Sequence, residues 1–215
     1  MILVVKLTAE QSYQIILFLL ATIRSNQTEI SRFTGASKSQ VNRLVTNLLD
    51  AGVLKHTEDR LFEVSDPIRL LDKIAFERPL SKLVRKEIQL EHSEVHKVEA
   101  AISSACKHSK IKYALTCFSA LNKYYRYHMA YPTVHVYTDE RAELEKKLPL
   151  GEGAVLVQIL VPDHEIIMQT VRVKDGFVLV DPVQVIIDLF CLGSIGRDGA
   201  MKLWEVVKNG AVSNY

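Results

Sequence analysis

The sequence predicts an α+β protein in three parts, and three observations carry that reading. Apolar residues recur at helical spacing through the first fifty positions. Short alternating or wholly apolar runs of strand length then interleave with helical segments in the second half. Capping pairs and glycines fall where those segments start and stop. The expected division is 1–65, a helical connector over 66–110, and an α+β part over 111–215 with a mixed sheet of about five strands backed by helices.

Thr8, with Gln11 three residues on, has the pattern of a capping box, and Tyr13, Ile16, Leu17 and Leu20 follow at helical spacing. Thr28 opens a short helix over Glu29–Thr34, which Gly35 ends by its access to positive φ. Ser37 and Gln40 form another box. The helix they open carries the stripe Val41, Leu44, Val45, Leu48, Leu49 and stops at Gly52. A tight turn between two such helices is a helix-turn-helix. Val53–Leu54 and Leu61–Val64 flank the polar Lys55–Arg60 as two strands of a hairpin. A helix-turn-helix followed by a hairpin predicts a winged helix over 1–65, and the run "LLDAGVL" ahead of the hairpin resembles that of many bacterial and archaeal regulators.

In the connector, Asp66 and Pro67 restart a helix over Ile68–Phe76, closed by Pro79. Ser81 is expected to open a longer helix to Cys106 with Ile88, Val95, Val98, Ile102 and Ala105 inward. Beyond it, strands are expected at Ile111–Thr116, Thr133–Thr138, Gly153–Val161, Ile166–Val173 and Phe177–Val180. Helices are expected at Cys117–Tyr125, Asp139–Leu148, Val183–Leu192 and Arg197–Val207. Lys174-Asp175-Gly176 is a hairpin turn, Asp181-Pro182 a helix start, and Gly193–Gly196 a loop.

Composition narrows the function. Apolar residues make up 48% and charged residues 24%, the mix of a folded chain. Twenty-seven Lys and Arg against 25 Asp and Glu give a net charge of +2, which excludes polybasic binding but leaves room for a local basic face. Cys106, Cys117 and Cys191 are too few and scattered for a disulfide framework or zinc ribbon, and are expected to fill core in a reducing compartment. The longest apolar run, Ile15–Ala21, falls short of the roughly 20 residues that span a bilayer. Met1–Leu7 lacks the length and cleavage site of a signal peptide, so a cytoplasmic protein that does not engage the membrane is expected.

The chemistry expected of the chain lies opposite the third helix's apolar stripe. Lys38, Ser39, Gln40, Asn42, Arg43 and Thr46 belong to its polar side, with no Asp or Glu until Asp50. Arg, Asn and Gln present the donors and acceptors that read base edges in the major groove of double-stranded DNA. Ser and Lys at a helix start meet phosphates. His56 and Arg60 in the hairpin tip are placed to reach phosphate or minor groove. Residues 1–65 carry only one positive charge in excess, so one copy attracts DNA weakly and a homodimer is the natural complement.

Other constellations are weaker. His92, His96 and Glu99 have helical spacing, but "HSEVH" is not a zincin motif, and a solvated face is expected rather than a metal site. Lys82, Arg85 and Lys86 cluster, again as a solvated face. Gly193, Gly196 and Gly199 follow a helix rather than a strand and make no phosphate loop. Arg197 is expected to pair with Asp188 or Asp181. Nucleotidyl transfer needs converging carboxylates and a Gly-Ser loop, and adjacent Asp139-Glu140 supply neither, so no enzyme, catalytic residue or cofactor is expected. Tyr124, Tyr125, Tyr127 and Tyr131 around a C-terminal pocket would suit an alternative, a ligand-sensing regulator.

"YALTCFSALNKYYRYHMAYPTVHVYTDE" and, later, "VLVDPVQVIIDLFCLGSIGRDGAMKL" resemble the C-terminal domain of AbiEi-type antitoxin regulators of type IV toxin–antitoxin systems. Pro182, Gln184, Asp188, Leu189, Gly196, Arg197, Ala200 and Leu203 match in order, while Cys117 stands where that family commonly has glycine. The resemblance implies an antitoxin-type autorepressor in transcription regulation, binding its own promoter beside a cognate nucleotidyltransferase-like toxin encoded nearby.

Overall fold

A computed structural model describes residues 5–127 and 131–210, so the start of the Met1–Leu7 segment and His128–Ala130 of the quoted stretch lie outside the described residues. Two compact units form, one from Met1–Arg78 with Trp204–Tyr215 and the other from Pro79–Leu203, and the expected connector is shared between them.

In the first unit, α1 (Glu10–Thr22) buries nine of its thirteen residues. It is not opened by Thr8. Its N-cap is Ala9, and the Thr8 N–H and hydroxyl donate to the Glu77 carboxylate, each at 3.1 Å. After β1 (Arg24–Ser25), α2 (Gln27–Thr34) starts ahead of Thr28. Asn26 accepts from the Glu29 N–H at 2.9 Å, and the Glu29 carboxylate accepts from the Asn26 N–H at 3.2 Å. Gly35 ends α2 at φ 69°. The Ser37–Gln40 box opens α3 (Lys38–Asp50), which buries Val41, Leu44, Val45 and Leu48. Each fully buried aliphatic side chain of this kind contributes about 1.5–3 kcal/mol. Gly52 turns the chain at φ 70° into β2 (Leu54–His56) and β3 (Phe62–Val64), an antiparallel hairpin pairing Leu54 with Val64 and His56 with Phe62. β1 joins its far edge, in the order β1-β3-β2. α4 (Pro67–Glu77) is capped by Asp66, which accepts from the Arg69 N–H at 2.9 Å.

The second unit holds a six-stranded sheet, not five, because the expected long helix from Ser81 does not form. Residues 84–89 are instead β4 (Val84–Gln89), antiparallel to β7 with Ile88 opposite Val157. Ile88 continues the apolar spacing of the following helix, which hid the strand. The exposed Arg85, Lys86 and Glu87 suit a charged sheet edge. α5 (Val95–Ser109), β5 (Ala114–Thr116), α6 (Cys117–Tyr124), β6 (Thr133–Tyr137), α7 (Arg141–Lys147) and β7 (Leu156–Leu160) follow. The expected strand over Ile166–Val173 divides into α8 (Glu165–Gln169) and β8 (Arg172–Lys174), since a short apolar run fits either state by periodicity. β9 (Phe177–Leu179) returns through Asp175 and Gly176, both at positive φ, as a two-residue hairpin requires. α9 (Pro182–Cys191) and α10 (Ser194–Lys208) complete the chain.

Strand order is β4-β7-β6-β5-β9-β8, with β6/β7 and β5/β9 parallel and the rest antiparallel. The last helix starts earlier than expected, so Gly196 is helical, and a Cβ there would collide with the Leu189 carbonyl. Cys117 follows β5 directly at φ 52°, and all three cysteines are free and buried. Among the described residues, no helix is long and apolar enough to cross a membrane.

Candidate nucleic-acid interface

α3 is held by one face and offers the other. Ser39, Asn42, Arg43 and Thr46, at i, i+3, i+4 and i+7, form a continuous exposed stripe, and Lys38 is exposed in the first turn. Gln40 is half-buried. Its side-chain oxygen accepts from the Ser37 N–H at 2.9 Å while the Ser37 hydroxyl accepts from the Gln40 N–H at 3.2 Å. Gln40 therefore serves first to fix the helix start. The first turn carries no acidic residue, and Lys38 is exposed there.

Gln27, in the first turn of α2, donates its amide to the Asn42 side-chain oxygen at 3.1 Å. That contact aims Asn42 and brings a second amide beside the stripe. Sequence spacing within α3 could not show it, since the partner lies fifteen residues away on another helix. Arg43 accepts through its carbonyl from the Asn47 side chain at 2.8 Å, leaving its guanidinium on the exposed side.

The hairpin tip is closed by its own hydrogen bonds. The Thr57 N–H donates to the Leu61 carbonyl at 2.9 Å, and the Arg60 N–H to the Thr57 carbonyl at 3.0 Å. Arg60 takes φ 62° to make that turn. His56 is exposed and tilted against the Phe62 ring at 5.2 Å between centroids. Glu58 and Asp59 precede Arg60, and a hydrogen bond from the Thr57 side chain holds the Asp59 carboxyl below its ordinary range. The tip is thus more acidic than the α3 face. Lys55 and Arg24, on β2 and β1, both reach Glu63 on β3, at 3.5 and 2.9 Å.

Of the remaining candidates, His96 is exposed as expected, and most of the others are engaged in the fold of the second unit. His92 precedes α5, while Glu99 is buried, accepts from the Tyr131 hydroxyl at 3.1 Å and pairs with Lys123 at 3.2 Å. Among the described residues, no three His, Cys, Asp or Glu gather as metal ligands. Tyr124 donates to the Val180 carbonyl at 2.9 Å and Tyr127 to Asp198 at 2.7 Å. Arg172 pairs with Asp181 at 2.7 Å, and the Arg197 guanidinium lies over the Phe190 ring at 5.1 Å. Asp188 accepts from Thr116, Tyr137 and Gln184 at 2.6, 3.1 and 2.8 Å.

No family model, curated protein or solved structure matches this chain.

Proposed function

We propose that the first unit is a winged helix that binds double-stranded DNA, and that the chain is a cytoplasmic transcriptional regulator of the antitoxin-autorepressor type, acting by binding rather than catalysis. The observation that carries this reading is the α3 stripe. Ser39, Asn42, Arg43 and Thr46 stand exposed together on a helix anchored through its opposite face, with no acidic residue before Asp50. A helix presented in this way fits the major groove, where Arg addresses guanine and Asn addresses adenine. The β2–β3 hairpin after it is of the kind that such domains lay along the backbone.

Two features support the antitoxin resemblance. Cys117 occupies a left-handed conformation that favours glycine, at the position where the resembled family carries one. Gln184 and Asp188, both matched positions, bond each other at 2.8 Å inside the second unit. A nucleotidyltransferase-like toxin is the partner this reading names, and a homodimer offsets the weak charge of a single copy.

The test is a salt titration of binding to duplex DNA from upstream of the gene and to random duplex. Arg43→Ala weakens upstream binding about ten- to a hundredfold, the value of one bidentate Arg–guanine contact. Arg60→Ala weakens both duplexes alike and lowers the salt slope by about one unit. Wild-type protein that ignores duplex DNA at low salt, or an Arg43→Ala variant that binds as well as wild type, overturns the proposal.

A further inference from the structure

A concavity of different chemistry lies wholly within the second unit, where the end of α5 turns into β5 against α8 and β9. It encloses about 440 Å³, within the range of small-molecule sites. Ile111, Met168, Val171 and Val178 give it apolar walls, and Lys107, Lys110 and Lys112 line it as well. No carboxylate lines it. Lys110, at φ 57°, ends the helix and turns the chain so that three lysines within six residues border one opening.

The polar atoms of the walls are already used. The Tyr113 hydroxyl donates to Ser103 at 2.8 Å and accepts from the Val178 N–H at 3.4 Å. The Cys106 carbonyl accepts from the Ile111 N–H at 2.9 Å, and the Lys107 carbonyl from the Lys110 N–H at 3.4 Å, so the negative end of α5 is capped. Burial, with the nearby Glu140 charge, pushes the Cys106 thiol up to about 12, which keeps it neutral. Lys107 donates to the Gly176 carbonyl at 2.6 Å. Lys110 and Lys112 are exposed and have no acidic side-chain partner among the described residues, although the Lys112 backbone N–H donates to Glu140 at 2.9 Å. The Glu140 carboxylate stands near this wall, but the three lysines that line the hollow outnumber it, and an apolar hollow with that excess of positive charge complements a ligand with an apolar body and one negative end.

We propose that this cleft binds an amphipathic carboxylate, its apolar body against Ile111, Met168, Val171 and Val178 and its carboxylate between Lys110 and Lys112. At about 30 Å³ per non-hydrogen atom, the share of a water molecule in the liquid, the cleft holds up to roughly fifteen such atoms. The proposal is independent of DNA binding.

Calorimetric titration of the full chain with decanoate tests it, with decanol and decyltrimethylammonium as partners lacking the charge or reversing it. Decanoate binds saturably with one molecule per chain, while decanol binds at least about tenfold more weakly and the cation not at all. The double variant Lys110→Glu/Lys112→Glu changes exposed residues only, keeps the wild-type circular dichroism and melting curve, and loses decanoate affinity at least about tenfold. Met168→Trp fills the cleft and abolishes binding of decanoate and decanol alike. Decanoate that fails to saturate by about 1 mM, decanol that binds equally well, or a double variant that keeps wild-type affinity overturns the proposal.

Discussion

Helices α3 and α9 are each opened by a short side chain that accepts a backbone N–H, Ser37 from Gln40 at 3.2 Å and Asp181 from Val183 at 2.9 Å. From there they diverge. α3 buries four of its thirteen residues and α9 all ten. The polar residues follow suit: Gln184 and Asp188 on α9 are spent on the fold, whereas Asn42 and Arg43 on α3 face outward. A polar group buried and satisfied specifies structure, and one held exposed on a rigid element is available to a partner. That contrast places the candidate function on α3 rather than on α9.

The contrast breaks most visibly at Asp188. Asp188→Ala leaves the donors of Thr116, Tyr137 and Gln184 buried without their acceptor, and costs about 3–5 kcal/mol in a urea denaturation series. A loss below about 1 kcal/mol would show the network to be dispensable.

The second effect is pH-dependent. His135, on β6, is buried, its ring nitrogens meet no hydrogen-bond partner, and burial pushes its pKa from 6.5 down to about 4, partly opposed by Gln158. The Gln158 amide is itself directed to Glu87 at 2.7 Å. Between these two values the unfolded chain binds the proton and the folded chain does not, so stability rises with pH across that window. The His135 contribution is complete above about pH 6.5 and is lost as pH falls towards 4, by roughly 3 kcal/mol in total. His135→Gln flattens that part of the stability–pH curve, whereas an unchanged slope assigns the acid sensitivity to other groups.

Ser37→Ala removes one half of the α3 capping box and costs about 1 kcal/mol. Asn42→Ala and Arg43→Ala are the smallest, within about 0.5 kcal/mol of wild type by thermal melting. A larger loss at either residue would mean that the α3 face is part of the fold after all.

Local signals were legible in the sequence wherever the deciding partner is close along the chain. The Ser37–Gln40 box, the positive-φ turns at Gly35 and Gly52, the Asp66-Pro67 and Asp181-Pro182 starts and the Asp175-Gly176 hairpin all close within a few residues. Readings failed where a distant group decides. Thr8 is drawn to Glu77, 69 residues away, and β4 is a strand because β7 pairs with it, although its own residues read as a helix face. The α3 stripe needed only periodicity. Its orientation by Gln27, and the clustering of lysines around the cleft beside β9, depend on contacts between elements that no spacing rule encodes.

The central claim is that α3 meets DNA and α9 does not. Backbone amide shifts of isotopically labelled protein, followed as a short duplex from upstream of the gene is added, report both helices in one titration. The account predicts that the largest changes fall on Lys38–Thr46, with smaller ones over His56–Arg60, and that the amides of Val183–Cys191 stay in place. Shifts concentrated on α9 or elsewhere in the second unit, or none on α3 at saturating duplex, would contradict it.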